Sequence, residues 1–196
     1  ALYCGAKVDF VDIDPSTYNM SVLALKDKLK KAENSGELPQ LVVPVHFSGQ
    51  SCEMKEIWEL SKKYDFKVVE DASHALGGEY MGRKVGNCEY SHMCVFSFHP
   101  VKMITTGEGG AITTNDENLD ESISIFRTHG ITKDKTKFDE ESHGAWYYEQ
   151  QALGFNYRMT DLQAALGISQ LKRLDKFVAK RREIANYYLN NLEPAY

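Results

Sequence analysis

Lys102 stands alone in the stretch VFSFHPVKMITTGEGGAITTND, residues 95–116, between an alternating apolar run and the glycines at 107, 109 and 110. Upstream, Asp71 and His74 follow the apolar run FKVVE, and Ser97 lies near the end of CVFSFH. These types carry complementary chemistry. An unprotonated lysine attacks a carbonyl carbon, and burial or a nearby positive charge enlarges its free-amine fraction. A carboxylate stabilises a cation, and a hydroxyl donates to an anion. In open α/β sheets ligands sit beyond the carboxyl ends of the strands, and these residues fall at such ends.

Each residue also has a plainer use. A lysine after a strand is commonly solvated, and an aspartate there commonly caps a turn. His74 would serve as a hydrogen-bonded loop or core histidine, Ser97 as a packed strand residue, and GEGG as a tight turn. A separate pair, Asp12 and Asp14 in VDID, has the spacing with which many nucleotide-sugar glycosyltransferases hold a divalent metal on hard carboxylate oxygens.

The elements that must position these groups read as alternating strands and helices. KVDFVDID predicts a strand over Lys7–Asp14. Ser21 is placed to cap a helix carrying Val22, Leu25 and Leu29 on one face. LVVPVHF, residues 41–47, is a β-rich run covered on both faces, although Pro44 counts against a central position. Ser51 would open a second helix with Met54, Ile57 and Leu60 inward. Strands follow over FKVVEDAS, CVFSFH and GAITTN, then a helix from Asn115 or Asp116 to about Thr128, stopped by Gly130. Residues 131–152 read as one long loop, of the kind that often carries function. Thr160 and Gln163 have capping-box spacing before a long helix bent near Gly167. The expected architecture is a three-layer α/β/α sandwich with a mostly parallel sheet.

The 196 residues suffice for one sizeable domain. The net charge of −5, with dispersed basic residues, argues against nucleic acid and anionic membrane surfaces as partners. No apolar run approaches the roughly 18 residues of a membrane span. The four cysteines form no CxxC, which suggests reduced thiols and a cytoplasmic location. The six histidines form no HExxH pattern, so a zinc site is not expected. The opening ALYCGAKVDF reads as the middle of a fold, and a fragment of a longer chain is expected.

An amine, a carboxylate and a hydroxyl at one sheet edge suit a cofactor with an aldehyde, a ring nitrogen and a phosphate. Pyridoxal 5′-phosphate (PLP) has all three. Lys102 would bond to the aldehyde, Asp71 would keep the pyridine nitrogen protonated so that the ring accepts electrons, and Ser97 would donate to the phosphate. His74 would stack on the ring or bond its phenolic oxygen.

The motifs VEDASHALG, VFSFHPVKMITTGEGGAITTND, RTHGI and LGFNYRMTDLQAALGISQL occur in that order. Together they resemble the DegT/DnrJ/EryC1/StrS family of PLP-dependent sugar aminotransferases over nearly the whole chain. The resemblance implies the large domain of a fold-type I PLP-dependent transferase, partial over 1–158, with 159–196 as a long helix leading towards a C-terminal small domain. It implies Lys102 as the cofactor-bonded lysine, Asp71 as the pyridinium partner, His74 beside the ring oxygen and Ser97 on the phosphate. Asn156 would reach the phosphate in the neighbouring subunit of a homodimer with shared active sites. A family branch that removes a hydroxyl has histidine in place of the lysine, so Lys102 implies amine transfer. VPVHFSGQSCEM and GAWYYEQQALGFNYRMTD are most similar to members of the pseudaminic acid pathway. The implied substrates are a UDP-linked 4-keto-6-deoxy amino sugar and glutamate. An inactive PLP-binding fragment or interaction module, and a metal-dependent glycosyltransferase using Asp12 and Asp14, remain as alternatives.

Overall fold

The computed structural model describes residues 1–192. The Ser21 side chain accepts the Ala24 N–H at 3.2 Å and caps α1 (Val22–Ser35), whose buried face is Leu25 and Leu29. There follow β1 (Leu41–Val42), α2 (Met54–Tyr64), β2 (Lys67–Asp71), β3 (Glu79–Tyr80), β4 (Arg83–Lys84), β5 (Met93–Ser97) and β6 (Gly110–Thr113). The chain continues through α3 (Glu117–Arg127), β7 (Ile131–Thr132), β8 (Glu149–Gln150), α4 (Asp161–Leu171) and α5 (Leu174–Asn191).

The main sheet has the order β1-β2-β5-β6. β1 and β5 pair parallel to β2, and β6 pairs antiparallel to β5. The α/β class and the mostly parallel sheet are those expected. Strand alternation sets the core. Val68 and Glu70 of β2 are buried, whereas Val69 and Asp71 are half-buried. The buried face, with Val42 and Val68, packs against Leu25 and Leu29 of α1 and Ile57, Leu60 and Tyr64 of α2. Each fully buried Leu or Ile stabilises the fold by about 1.5–3 kcal/mol. A second cluster joins Ala72, Ala75 and Cys88 to Cys94 and Phe96 of β5.

Several elements differ from expectation. Residues 7–14 form no strand; one antiparallel bridge, Ile13–Met20, is all the pairing there. The carboxylates of Asp9, Asp12 and Asp14 each accept a nearby backbone N–H at 2.8 Å. These local bonds divert donors that a ladder would need. β1 stops at Val42 because Pro44 has no N–H, and pairing with β2 resumes at the Val45–Asp71 bridge. α2 begins at Met54, since the Ser51 hydroxyl donates to the Cys52 carbonyl and caps nothing.

The Thr160–Gln163 capping box is present on α4. The long helix breaks at Lys172–Arg173, between α4 and α5, and not at Gly167. A Cβ on Gly167 would come within 2.9 Å of Thr106 Cγ2, so glycine there allows close packing. The loop after α3 is clasped by the antiparallel pair β7–β8. The last four residues of the segment expected to lead towards a further domain, 193–196, lie outside the described residues. Among the described residues no helix is long and apolar enough to cross a membrane.

Candidate active site

Asp71 ends β2. Its N–H donates to the Pro44 carbonyl at 2.9 Å, and its carbonyl accepts the His46 N–H at 3.0 Å. Its register partner on β5 is Val95. Side chains two residues apart on a strand share a face. Ser97 therefore stands on the face of Asp71, one step further along the neighbouring strand. The Asp71 Oδ1 accepts the Ser73 N–H at 3.0 Å, and its Oδ2 has no hydrogen-bond partner among the described residues. The Ser97 hydroxyl oxygen accepts the His99 N–H at 3.4 Å, leaving its own proton to donate.

Lys102 lies on the loop joining β5 to β6. The loop is drawn closed at its base. The Phe98 N–H donates to the Gly109 carbonyl at 2.8 Å, while the Phe98 carbonyl accepts from Thr106 N–H and the Thr105 hydroxyl, both at 3.0 Å. Ile104 and Thr106 are buried and anchor it. A Cβ on Gly110 would lie 2.6 Å from the Phe96 carbonyl oxygen, so the returning strand needs glycine at that point. α4 buttresses the loop. Gln163 Nε2 donates to the Glu108 carbonyl at 3.0 Å, and Gln170 Oε1 accepts the Thr105 N–H at 3.2 Å. Lys102 is half-buried. No ion pair among the described residues involves it or Asp71.

His74 is exposed in the turn after Asp71. Its Nδ1 accepts the Ser48 N–H at 3.3 Å, which assigns the ring proton to Nε2. The ring meets Phe47 edge-on at 6.3 Å. The turn carrying Ser48 is pinned by buried Asn19. Its Oδ1 accepts the Phe47 N–H at 2.9 Å, and its Nδ2 donates to the Gln50 and Ser51 carbonyls at 3.0 and 3.1 Å.

Asn156 is exposed and sits elsewhere, in an antiparallel bridge with Thr128. It makes no hydrogen bond to Asp71, His74, Ser97 or Lys102. Asp12 accepts the N–H of the next residue, Ile13, Asp14 closes a turn before α1, and the Ser16 hydroxyl beside Asp14 holds that carboxyl below its ordinary range.

Sequence reasoning missed a buried polar network under the sheet. His46 Nε2 donates to Glu70 Oε2 at 2.7 Å, the Ser91 hydroxyl donates to Glu70 Oε1, and His46 Nδ1 accepts the Cys52 N–H at 3.1 Å. The available signal was parity: in FKVVED, Glu70 falls on the same side as Val68, at a position that should be apolar. Burial pushes the neighbouring Cys52 thiol up to about 12, so it is no nucleophile.

The donor set is a carboxylate with an open oxygen, a hydroxyl on the same face, an imidazole N–H and a lysine on the adjoining loop. It fits a planar cationic ring that carries an anionic group. The model of the DegT/DnrJ/EryC1/StrS aminotransferase family matches residues 1–195. The chain belongs to this family. It is 44% identical over 193 residues to the UDP-4-amino-4,6-dideoxy-N-acetyl-beta-L-altrosamine transaminase of Campylobacter jejuni, covering 98% of this chain and 47% of that protein. Among solved structures it resembles Helicobacter pylori PseC, an aminotransferase of pseudoaminic acid biosynthesis, with a TM-score of 0.85 and 35% identity over 98% of this chain and 48% of that one. It also resembles the PLP form of Spr1654 from Streptococcus pneumoniae, with a TM-score of 0.78 and 27% identity over 96% of this chain and 49% of that one. The chain thus spans about half the length of the family members it matches.

Proposed function

We propose that the full-length protein is a PLP-dependent aminotransferase that moves the amino group of glutamate onto a nucleotide-linked 4-keto-6-deoxy sugar. The UDP-linked substrate of pseudaminic acid synthesis is the first choice, because the Campylobacter jejuni relative that bears that name is 44% identical. The observation that carries the reading is the shared face of Asp71 and Ser97, with Lys102 on the loop that leaves Ser97.

When bound through its aldehyde, PLP supplies an electron sink for a carbanion at the carbon bearing the nitrogen. The chain's residues do the rest. The open Oδ2 of Asp71 would hold a proton at the ring nitrogen. The Ser97 hydroxyl would donate to the phosphate, and His74 Nε2–H would donate to the ring oxygen. The Lys102 amine would hold the cofactor through its aldehyde and would serve as the base and acid that moves a proton at the reacting carbon. Asn156 would reach the phosphate of a neighbouring subunit in a cytoplasmic homodimer. Residues 1–158 then form part of the cofactor-binding domain, and the helices from 159 lead to a smaller one.

Full-length protein loaded with PLP is to be mixed with glutamate, then with UDP-, GDP- and dTDP-linked 4-keto sugars. Conversion of the bound cofactor by glutamate, followed by amination of the UDP sugar, supports the reading. An unchanged cofactor spectrum on adding glutamate marks a protein that binds PLP without transferring amines and overturns it.

A further inference from the structure

His46 has no exposed surface, and two of its hydrogen bonds reach Glu70 and Asp71 while two others close its own turn on Gly49 and Cys52. Its backbone N–H holds the Asp71 carbonyl, its Nε2–H holds Glu70, and its Nδ1 ties down Cys52 at the far end of the turn. Glu70 is buried to 5% exposure, and its other oxygen is held by Ser91, itself at 5%. Consecutive strand residues project to opposite faces. A strand clamped through Glu70 on one face cannot rotate about its axis, which fixes the Cα–Cβ direction of Asp71 on the other. The Asp71 backbone is fully engaged as well, by Pro44 and His46 of a strand end that Pro44 would otherwise leave frayed.

We propose that His46 is a positioning residue for Asp71, acting through the Glu70 carboxylate and the turn closed on Cys52. The inference deepens the function proposed above and rests on Asp71 acting at the ring nitrogen. His46 itself touches neither cofactor nor substrate. It sets the aim of the carboxylate that does.

Two variants separate its contacts. His46→Asn keeps an acceptor near the Nδ1 position for Cys52 and loses the donor to Glu70. His46→Gln keeps a donor near Nε2 for Glu70. The Ser73 amide, bonded to Asp71 Oδ1, reports the carboxylate's placement in the cofactor-free protein. In His46→Asn its hydrogen exchange should rise roughly tenfold, the scale of one lost hydrogen bond to a charged group. With PLP bound, the same variant should shift the cofactor's absorption maximum and lower kcat with the KM for glutamate unchanged. His46→Gln should restore both. Where His46→Asn does not fold, Ser91→Ala, which frees the other Glu70 oxygen, should give smaller changes of the same sense.

Unchanged Ser73 exchange and an unchanged absorption maximum in His46→Asn, or in Ser91→Ala in its place, would overturn the positioning role. Failure of the unsubstituted protein to bind PLP would instead overturn the proposed function, and the Ser73 exchange would still decide whether His46 aims the Asp71 carboxylate.

Discussion

Glu70 and Asp71 follow one another along β2 and face opposite sides of the sheet. The first is buried with both carboxylate oxygens engaged by His46 and Ser91; the second is half-buried with one oxygen open. Two adjacent acids thus have different tasks. Glu70→Ala leaves a buried imidazole and hydroxyl without their partner and should cost about 1–3 kcal/mol for each of the two in urea unfolding. Asp71→Ala loses one turn bond, about 1 kcal/mol, yet should lower amine transfer at least about 100-fold through loss of the charge at the ring nitrogen. Equal stability losses in the two variants would contradict this division.

The loop bearing Lys102 depends on backbone contact at its return. A Cβ at Gly110 would press 2.6 Å from the Phe96 carbonyl oxygen, an atom fixed in the sheet. Gly110→Ala should destabilise the protein by about 1–3 kcal/mol, as overpacking does. It should also weaken PLP binding, because β6 pairs Gly110 directly with Ser97. A variant with wild-type stability and PLP affinity would show that the loop tolerates displacement there.

His92 gives the fold a pH dependence with a definite sign. Its N–H donates to the Val68 carbonyl at 2.9 Å and its Nδ1 accepts the Val68 N–H at 3.0 Å, extending the β2–β5 pairing. Desolvation, and secondly the charge of Lys67, hold its pKa below 6.5. The unfolded chain therefore takes up the proton more readily than the folded one. This contribution to stability is present above the unfolded value of 6.5 and is lost as pH falls through it towards the lower folded value. Urea midpoints from about pH 7 to about pH 5 should fall less steeply in His92→Asn, which keeps an acceptor for Val68. Identical slopes would mean that His92 titrates alike in both states.

Much of this was legible in the sequence, for physical reasons that can be named. Alternation in FKVVED and CVFSFH is a two-faced signal, so β2 and β5 were readable and Asp71 and Ser97 could be placed at strand ends, whereas their shared face needed the Asp71–Val95 register of the folded sheet. The Ser21 and Thr160 caps were readable because a side-chain oxygen and a backbone N–H lie close in sequence. The same alternation misled at KVDFVDID, where strand formation depends on a neighbour that the pattern cannot reveal and three aspartates bond their own backbone instead. The His46–Glu70–Ser91 network was hidden because its members are 24 and 21 residues apart and meet only once the parallel sheet forms. The proposed roles of Lys102 and His74 were suggested by residue type at strand ends and strengthened by the family resemblance, and that of Asn156 came from the resemblance alone, since a lysine, a histidine and an asparagine in loops have many commoner uses.

The most direct test is chemical trapping at Lys102. Full-length protein loaded with PLP should be reduced with borohydride, digested and mapped by mass spectrometry. A phosphopyridoxyl group on Lys102, absent in Lys102→Ala together with the visible absorption band, is the expected result. A label on other lysines with Lys102 unmodified, or no label on a protein that retains the band, would contradict the assignment.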